Sequence, residues 1–152
     1  MHRQRVYVDT SVIGGCQDPE FAAESRALIE MARRGELTLL LSDLLFQELE
    51  DAPQEVVAIL EDLPADSHVL VTTTEETEIL RQQYMAAEIL PPASEDDALH
   101  VAIATVNNAD LILSWNFKHF VHVEKIRRFN AVNLVQGYQS IDIRSPKEVV
   151  SP

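Results

Sequence analysis

"LTLLLS" (residues 37–42) is an apolar run of strand length with almost no polar alternation. A strand buried on one face alternates apolar and polar side chains, so an unbroken run predicts a strand covered on both faces. "RVYVD" (5–9), "SHVLVT" (67–72), "ADLILS" (109–114) and "AVNLV" (131–135) read as further strands. Between them, periodic patterns predict helices over about 19–34, 43–50, 53–62, 74–89, 95–107 and 123–129. Several of these open on Ser, Thr, Asp or Pro at positions suited to capping. Strands alternating with helices make an α/β fold, a sandwich whose central sheet is mainly parallel.

At 152 residues the chain fits one domain, spanning 1–152, with about 137–152 read as a C-terminal extension. Hydrophobic content of 46% and charged content of 24% exclude a disordered or membrane-spanning class. No apolar run is long enough to span a bilayer, and "MHRQRVYVDTS" lacks the apolar core of a secretory signal. The expected location is the cytoplasm, with no membrane partner. Cys16, the single cysteine, forms neither an internal disulfide nor a thiolate cluster for zinc. A net charge of −13 disfavours non-specific nucleic-acid binding by the surface as a whole. The segment from Lys118 to Phe129 is an exception: Lys118, Lys125, Arg127 and Arg128 against Glu124 alone leave it at about +3. It is either a solvated helix face or a phosphate contact.

Open parallel sheets carry their sites outside the carboxyl ends of the strands. Those ends hold Asp9-Thr10-Ser11, Ser42-Asp43, Thr72-Thr73-Thr74 and Ser114-Trp115-Asn116. Gly14, Gly15, Gly35 and Gly137 form neither a G-x-G-x-x-G nor a Walker loop, which disfavours a nucleotide cofactor. Asp9 directly follows a buried run, where an ionised carboxylate is costly unless hydrogen-bonded, paired or metal-bound. It either caps the turn or serves chemistry. Glu48 falls on the margin of the apolar arc set by Leu45, Phe46, Leu49 and Ala52, whereas Glu50 points away. In "SEDDALH" (94–100), Asp97 suits both a helix cap and a ligand role at the mouth of an apolar helix, with Asp96 as a neighbour in support. Three carboxylates at one sheet edge form a hard oxygen set suited to Mg²⁺ or Mn²⁺, and that chemistry points to phosphodiester hydrolysis. The five histidines lack zinc-type spacing, and His100, inside an apolar helix, reads as a core residue.

"VYVDTSVIGG", "LLFQELED", "EDDALHVAIATVNNADLILSWNFKHF" and "IRSPKEVV" together resemble PIN-domain proteins, in particular the VapC-like group that includes toxins of bacterial toxin–antitoxin pairs. The resemblance implies a three-layer α/β/α sandwich and a Mg²⁺- or Mn²⁺-dependent ribonuclease acting on RNA. It also implies an antitoxin protein as partner and a homodimer. Carried over by motif, the metal-binding acids fall on Asp9, Glu48 and Asp97, and the hydroxyl residue after the first acid on Thr10 or Ser11. A fourth acidic position falls on Asn116, and an aspartate sometimes found three residues later is His119 here. An amide is a weaker partner for a hard cation, so Asn116 is assigned to a metal-bound water or a phosphate oxygen. Lys118, His119, Arg127 and Arg128 are assigned to the RNA backbone. Trp115 is either a base-stacking residue or a core aromatic. The departure at Asn116 leaves a second reading open: a catalytically weak or inactive PIN module that binds RNA or a protein. A phosphoacceptor receiver or an aspartyl phosphatase is disfavoured, because "VTTT" and Ser11 stand where those sites need aspartate.

Overall fold

Val6 and Val8 point to one face of their strand and Tyr7 to the other, and all three are fully buried. That is the geometry expected of a central strand with helices on both sides. The computed structural model describes residues 3–150. Its five strands are β1 (Gln4–Val8), β2 (Leu37–Ser42), β3 (His68–Val71), β4 (Leu111–Leu113) and β5 (Asp142–Arg144). They form one sheet in the order β3-β2-β1-β4-β5, and every neighbouring pair is parallel. Tyr7 lies level with Leu40 on one side and Ile112 on the other.

The sheet divides the core in two. Val6, Val8, Leu39, Leu41 and Leu113 pack under α1 (Thr10–Gly14), α2 (Ala22–Arg33) and α4 (Gln54–Glu61), against Val12, Leu28 and Leu60. On the other face, Tyr7, Leu40, Ile112 and Ile143 pack under α5 (Glu75–Ala86), α6 (Glu95–Val106) and α7 (Val123–Val135), against Leu80, Val101 and Phe129. The short α3 (Asp43–Glu48) leaves the end of β2 and sends Leu45 into the first core and Leu44 into the second. The protein is thus a three-layer α/β/α sandwich around a parallel sheet. Among the described residues no helix is long and apolar enough to cross a membrane.

Two expectations are corrected at the C-terminal end. Residues 131–135 are the last turns of α7 rather than a strand. Their short apolar run fits either element, and tertiary contacts decide: Asn133 is buried and accepts from Tyr84 Oη, while Leu134 and Val135 are 64% and 83% exposed. The fifth strand is instead Asp142–Arg144, with Ile143 level with Ile112 of β4. Ile141 and Ile143 are buried while Asp142 and Arg144 are exposed, the period-two signature of an edge strand. The segment set apart from residue 137 therefore completes the sheet, and Val149 and Val150 of the final α8 (Lys147–Val150) pack on the first core. Residues 1, 2, 151 and 152 of the expected 1–152 domain lie outside the described residues.

Candidate active site

Asp9 caps α1 at the point where β1 leaves the core, with extended backbone angles typical of an N-cap. Its carboxylate is almost fully buried. One oxygen, Oδ1, accepts from Ser11 Oγ at 2.6 Å and from Val12 N at 3.4 Å, and Oδ2 accepts from Ser114 Oγ at 2.6 Å. Burial pushes the Asp9 carboxyl up from its ordinary value, outweighing attraction to His100 and the hydrogen bonds from Ser11, Ser114 and Val12. Ser114 at the end of β4 and Ser11 in α1 thus stabilise a charge that its surroundings disfavour.

Glu48 is the last residue of α3 and keeps its side chain partly open to solvent. Oε1 accepts from Thr10 Oγ1 at 2.5 Å and from His100 Nε2 at 2.6 Å. Burial alone would raise this carboxyl, but the hydrogen bonds from His100 and Thr10 and the attraction to His100 carry it below its ordinary value. Because Thr10 follows Asp9 directly, its bond to Glu48 brings the first two acids to one edge.

Asp97 lies on α6 one turn before His100, and residues three apart share a helix face. Its Oδ2 accepts from His119 Nδ1 at 2.7 Å. Asp96 is exposed beside it. Asp97 thus shares α6 with His100, the partner of Glu48. Among the described residues, no three His, Cys, Asp or Glu side chains already converge as a metal centre. The donor set still fits a hard divalent cation in its chemistry. Mg²⁺ is held by one or two protein carboxylates with waters completing the shell. Glu48 and Asp97 each engage a single oxygen, leaving Oε2 and Oδ1 without a hydrogen bond among the described residues.

The loop after β4 is tied to its surroundings by its own hydrogen bonds. Asn116 Oδ1 accepts from Lys118 N at 3.1 Å and from His119 N at 2.9 Å, so its amide oxygen shapes the turn. His119, expected on the RNA backbone, is engaged by Asp97. Arg128 donates to Ala87 O at 2.6 Å and Lys125 to Ile89 O at 2.7 Å. Both cations therefore tie α7 to the carbonyls following α5. Lys118 and Arg127 are exposed. Trp115 is a core residue: it is 5% exposed, donates from Nε1 to Ser25 Oγ at 2.8 Å, and stacks on Phe21 with ring centres 4.3 Å apart. Gly15 is needed beneath it, since a Cβ there would lie 2.7 Å from Ser25 Oγ and 3.0 Å from Trp115 Nε1. The neighbouring Phe117 is 50% exposed.

Ser42 and Ser114 lie at the strand ends and His100 in the core, as the sequence predicts; what sequence reasoning misses is that Tyr7 and His100 link Ser42 to Glu48. His100 carries the one available signal, a polar residue three positions after an acid in an otherwise apolar helix.

No family model matches the chain, and no curated protein does. Among solved structures, it is similar to a chain of the crystal structure of VapBC2 from Rickettsia felis bound to a DNA fragment from their promoter. The two superpose with a TM-score of 0.58 at 13% identity, over 76% of this chain and 90% of that one. The likeness shows the fold, a PIN-like three-layer sandwich.

Proposed function

We propose that this chain is a Mg²⁺- or Mn²⁺-dependent endoribonuclease of the PIN type, hydrolysing RNA phosphodiesters in the cytoplasm as the toxin of a toxin–antitoxin pair. The observation that carries this reading is Asp9, a carboxylate buried at the end of the central strand and kept there by Ser11 and Ser114. A bare charge in that position is expensive, and a cation offsets the cost. The fold likeness to VapBC2 supports the pairing with an antitoxin protein, and a homodimer is proposed with it.

Asp9, Glu48 and Asp97 would hold the ion, which when bound supplies Lewis acidity and a water of lowered pKa. The rest of the chemistry belongs to the chain. Ser11, Ser114 and Thr10 fix the Asp9 and Glu48 carboxylates, and Asp96 adds negative potential at the rim. The exposed Lys118 and Arg127 bind backbone phosphates without reading sequence. Phe117, rather than Trp115, presents a ring to an unpaired base, because Trp115 is committed to the core.

Purified protein with Mn²⁺ is expected to cut single-stranded RNA, chelation to stop the cutting, and Asp9→Asn and Asp97→Asn each to abolish it. Full activity in both variants would contradict the site. A second reading, a non-catalytic module binding RNA or a protein, is favoured by one observation: the Asn116 oxygen is taken up by two backbone amides. Calorimetry separates the two, since the module predicts no heat of Mn²⁺ binding at millimolar concentration.

A further inference from the structure

We infer that Tyr7 and His100 are positioning residues for Glu48, holding its carboxylate through a hydrogen-bonded chain that runs up from the centre of the core. What Glu48 does once positioned rests on the nuclease reading above. The chain starts at Leu45 N, which donates to Ser42 Oγ at 3.0 Å. Ser42 Oγ and Tyr7 Oη are 2.9 Å apart, Tyr7 Oη and His100 Nδ1 2.5 Å, and His100 Nε2 and Glu48 Oε1 2.6 Å. Ser42 and Tyr7 are fully buried and His100 is 2% exposed, so the chain is dry until it reaches Glu48.

The proton arrangement follows from what each group can donate. Glu48 as a carboxylate only accepts, so Nε2 carries a proton toward it. Tyr7 Oη donates to Ser42 Oγ and meets His100 Nδ1 across a short hydrogen bond. Ser42 Oγ thus accepts from both Tyr7 Oη and Leu45 N. Thr10 Oγ1 donates to the same oxygen of Glu48 as His100 does. Glu48 is therefore oriented from β1, β2, α1 and α6 at once, and Oε2 is turned free.

A purely structural account explains part of this chain and stops short of its end. Ser42 alone would satisfy a buried tyrosine hydroxyl. The chain runs on across α6 to a carboxylate at the rim, which solvent could otherwise satisfy. Imidazoles and carboxylates placed behind metal ligands act in this manner, and their loss costs about 10–100-fold in metal affinity or activity.

The test uses the full chain and three variants, with Mn²⁺ as the probe. His100→Leu is expected to weaken Mn²⁺ binding by about 10–100-fold in calorimetry and to lower kcat for RNA cleavage while leaving the RNA KM in place. His100→Gln, whose amide donates from nearly the Nε2 position, is expected to recover most of the loss. Tyr7→Phe keeps the ring and removes only the hydroxyl; it is expected to shift Mn²⁺ affinity in the same direction and carries the test should His100→Leu fail to fold. Wild-type Mn²⁺ binding that Tyr7→Phe and His100→Leu leave unchanged would overturn the positioning role alone. A wild type that binds no Mn²⁺ would overturn the nuclease reading and the inference with it.

Discussion

Glu48 and Asp97 each meet one imidazole at nearly the same distance, 2.6 and 2.7 Å, yet the two imidazoles are held by different parts of the molecule. His100 is anchored in the core by Tyr7, and its side chain is 2% exposed. His119 sits on the loop between β4 and α7, its side chain 15% exposed and its backbone N–H fixed by Asn116. The first pair is set by packing of the sheet and α6, while the second depends on a turn. One acid is thus held by a residue buried in the core and the other by a partly exposed residue of a loop.

The largest contrast is expected in stability. His100→Leu deprives Tyr7 and Glu48 of a partner in a dry site, at a cost of about 1–3 kcal/mol, measured by urea denaturation. His119→Leu removes one hydrogen bond at the rim and is expected to cost about 0.5–1.5 kcal/mol. Equal losses would mean that the two pairs are held alike.

The pH dependence separates Glu48 from Asp9. Because burial raises the Asp9 carboxyl, its contribution to stability is full below the ordinary aspartate value of about 3.9 and is lost as pH rises through its own higher value. Glu48 runs the other way. Its contribution is present above the ordinary glutamate value of about 4.3 and is lost as pH falls through its lowered one. Asp9→Asn is therefore expected to melt higher than the wild type at neutral pH, with the gap closing toward acid, while Glu48→Gln melts lower at neutral pH. A melting point for Asp9→Asn below the wild type at pH 7 would show that Ser11 and Ser114 outweigh the burial.

The smallest expected change is at Asn116. An aspartate accepts the Lys118 and His119 amides as well as an asparagine does, so Asn116→Asp should move stability by no more than about 0.5 kcal/mol. It adds a charge at the mouth of the site, and Mn²⁺ affinity in calorimetry is expected to rise.

Much of the fold is legible in residues that face both helical layers. "LTLLLS" matches β2 residue for residue, because a strand covered on both faces needs no alternation to be recognised. "AVNLV" misleads for the same reason: five apolar-rich residues do not separate a strand from a helix, and the deciding contact, Tyr84 to Asn133, spans 49 residues. β5 is signalled by Ile141 and Ile143, but three residues make too short a pattern to stand alone. In the site, the location of Asp9 is legible from the strand it ends. The partners of Glu48 and Asp97 are not, since His100 and His119 lie 52 and 22 residues away and only the packing of α6 and the β4 loop brings them in.

The central claim is that Asp9, Glu48 and Asp97 share a divalent ion. Crystals of the protein grown with Mn²⁺ and measured at a wavelength where manganese scatters anomalously test it most directly. The account predicts an anomalous peak at the edge of β1, within about 2.2 Å of oxygens from Asp9 and at least one of Glu48 and Asp97, with His100 still bonded to Glu48 Oε1. No peak there, or a peak held by other residues while these three carboxylates keep their present partners, would contradict it.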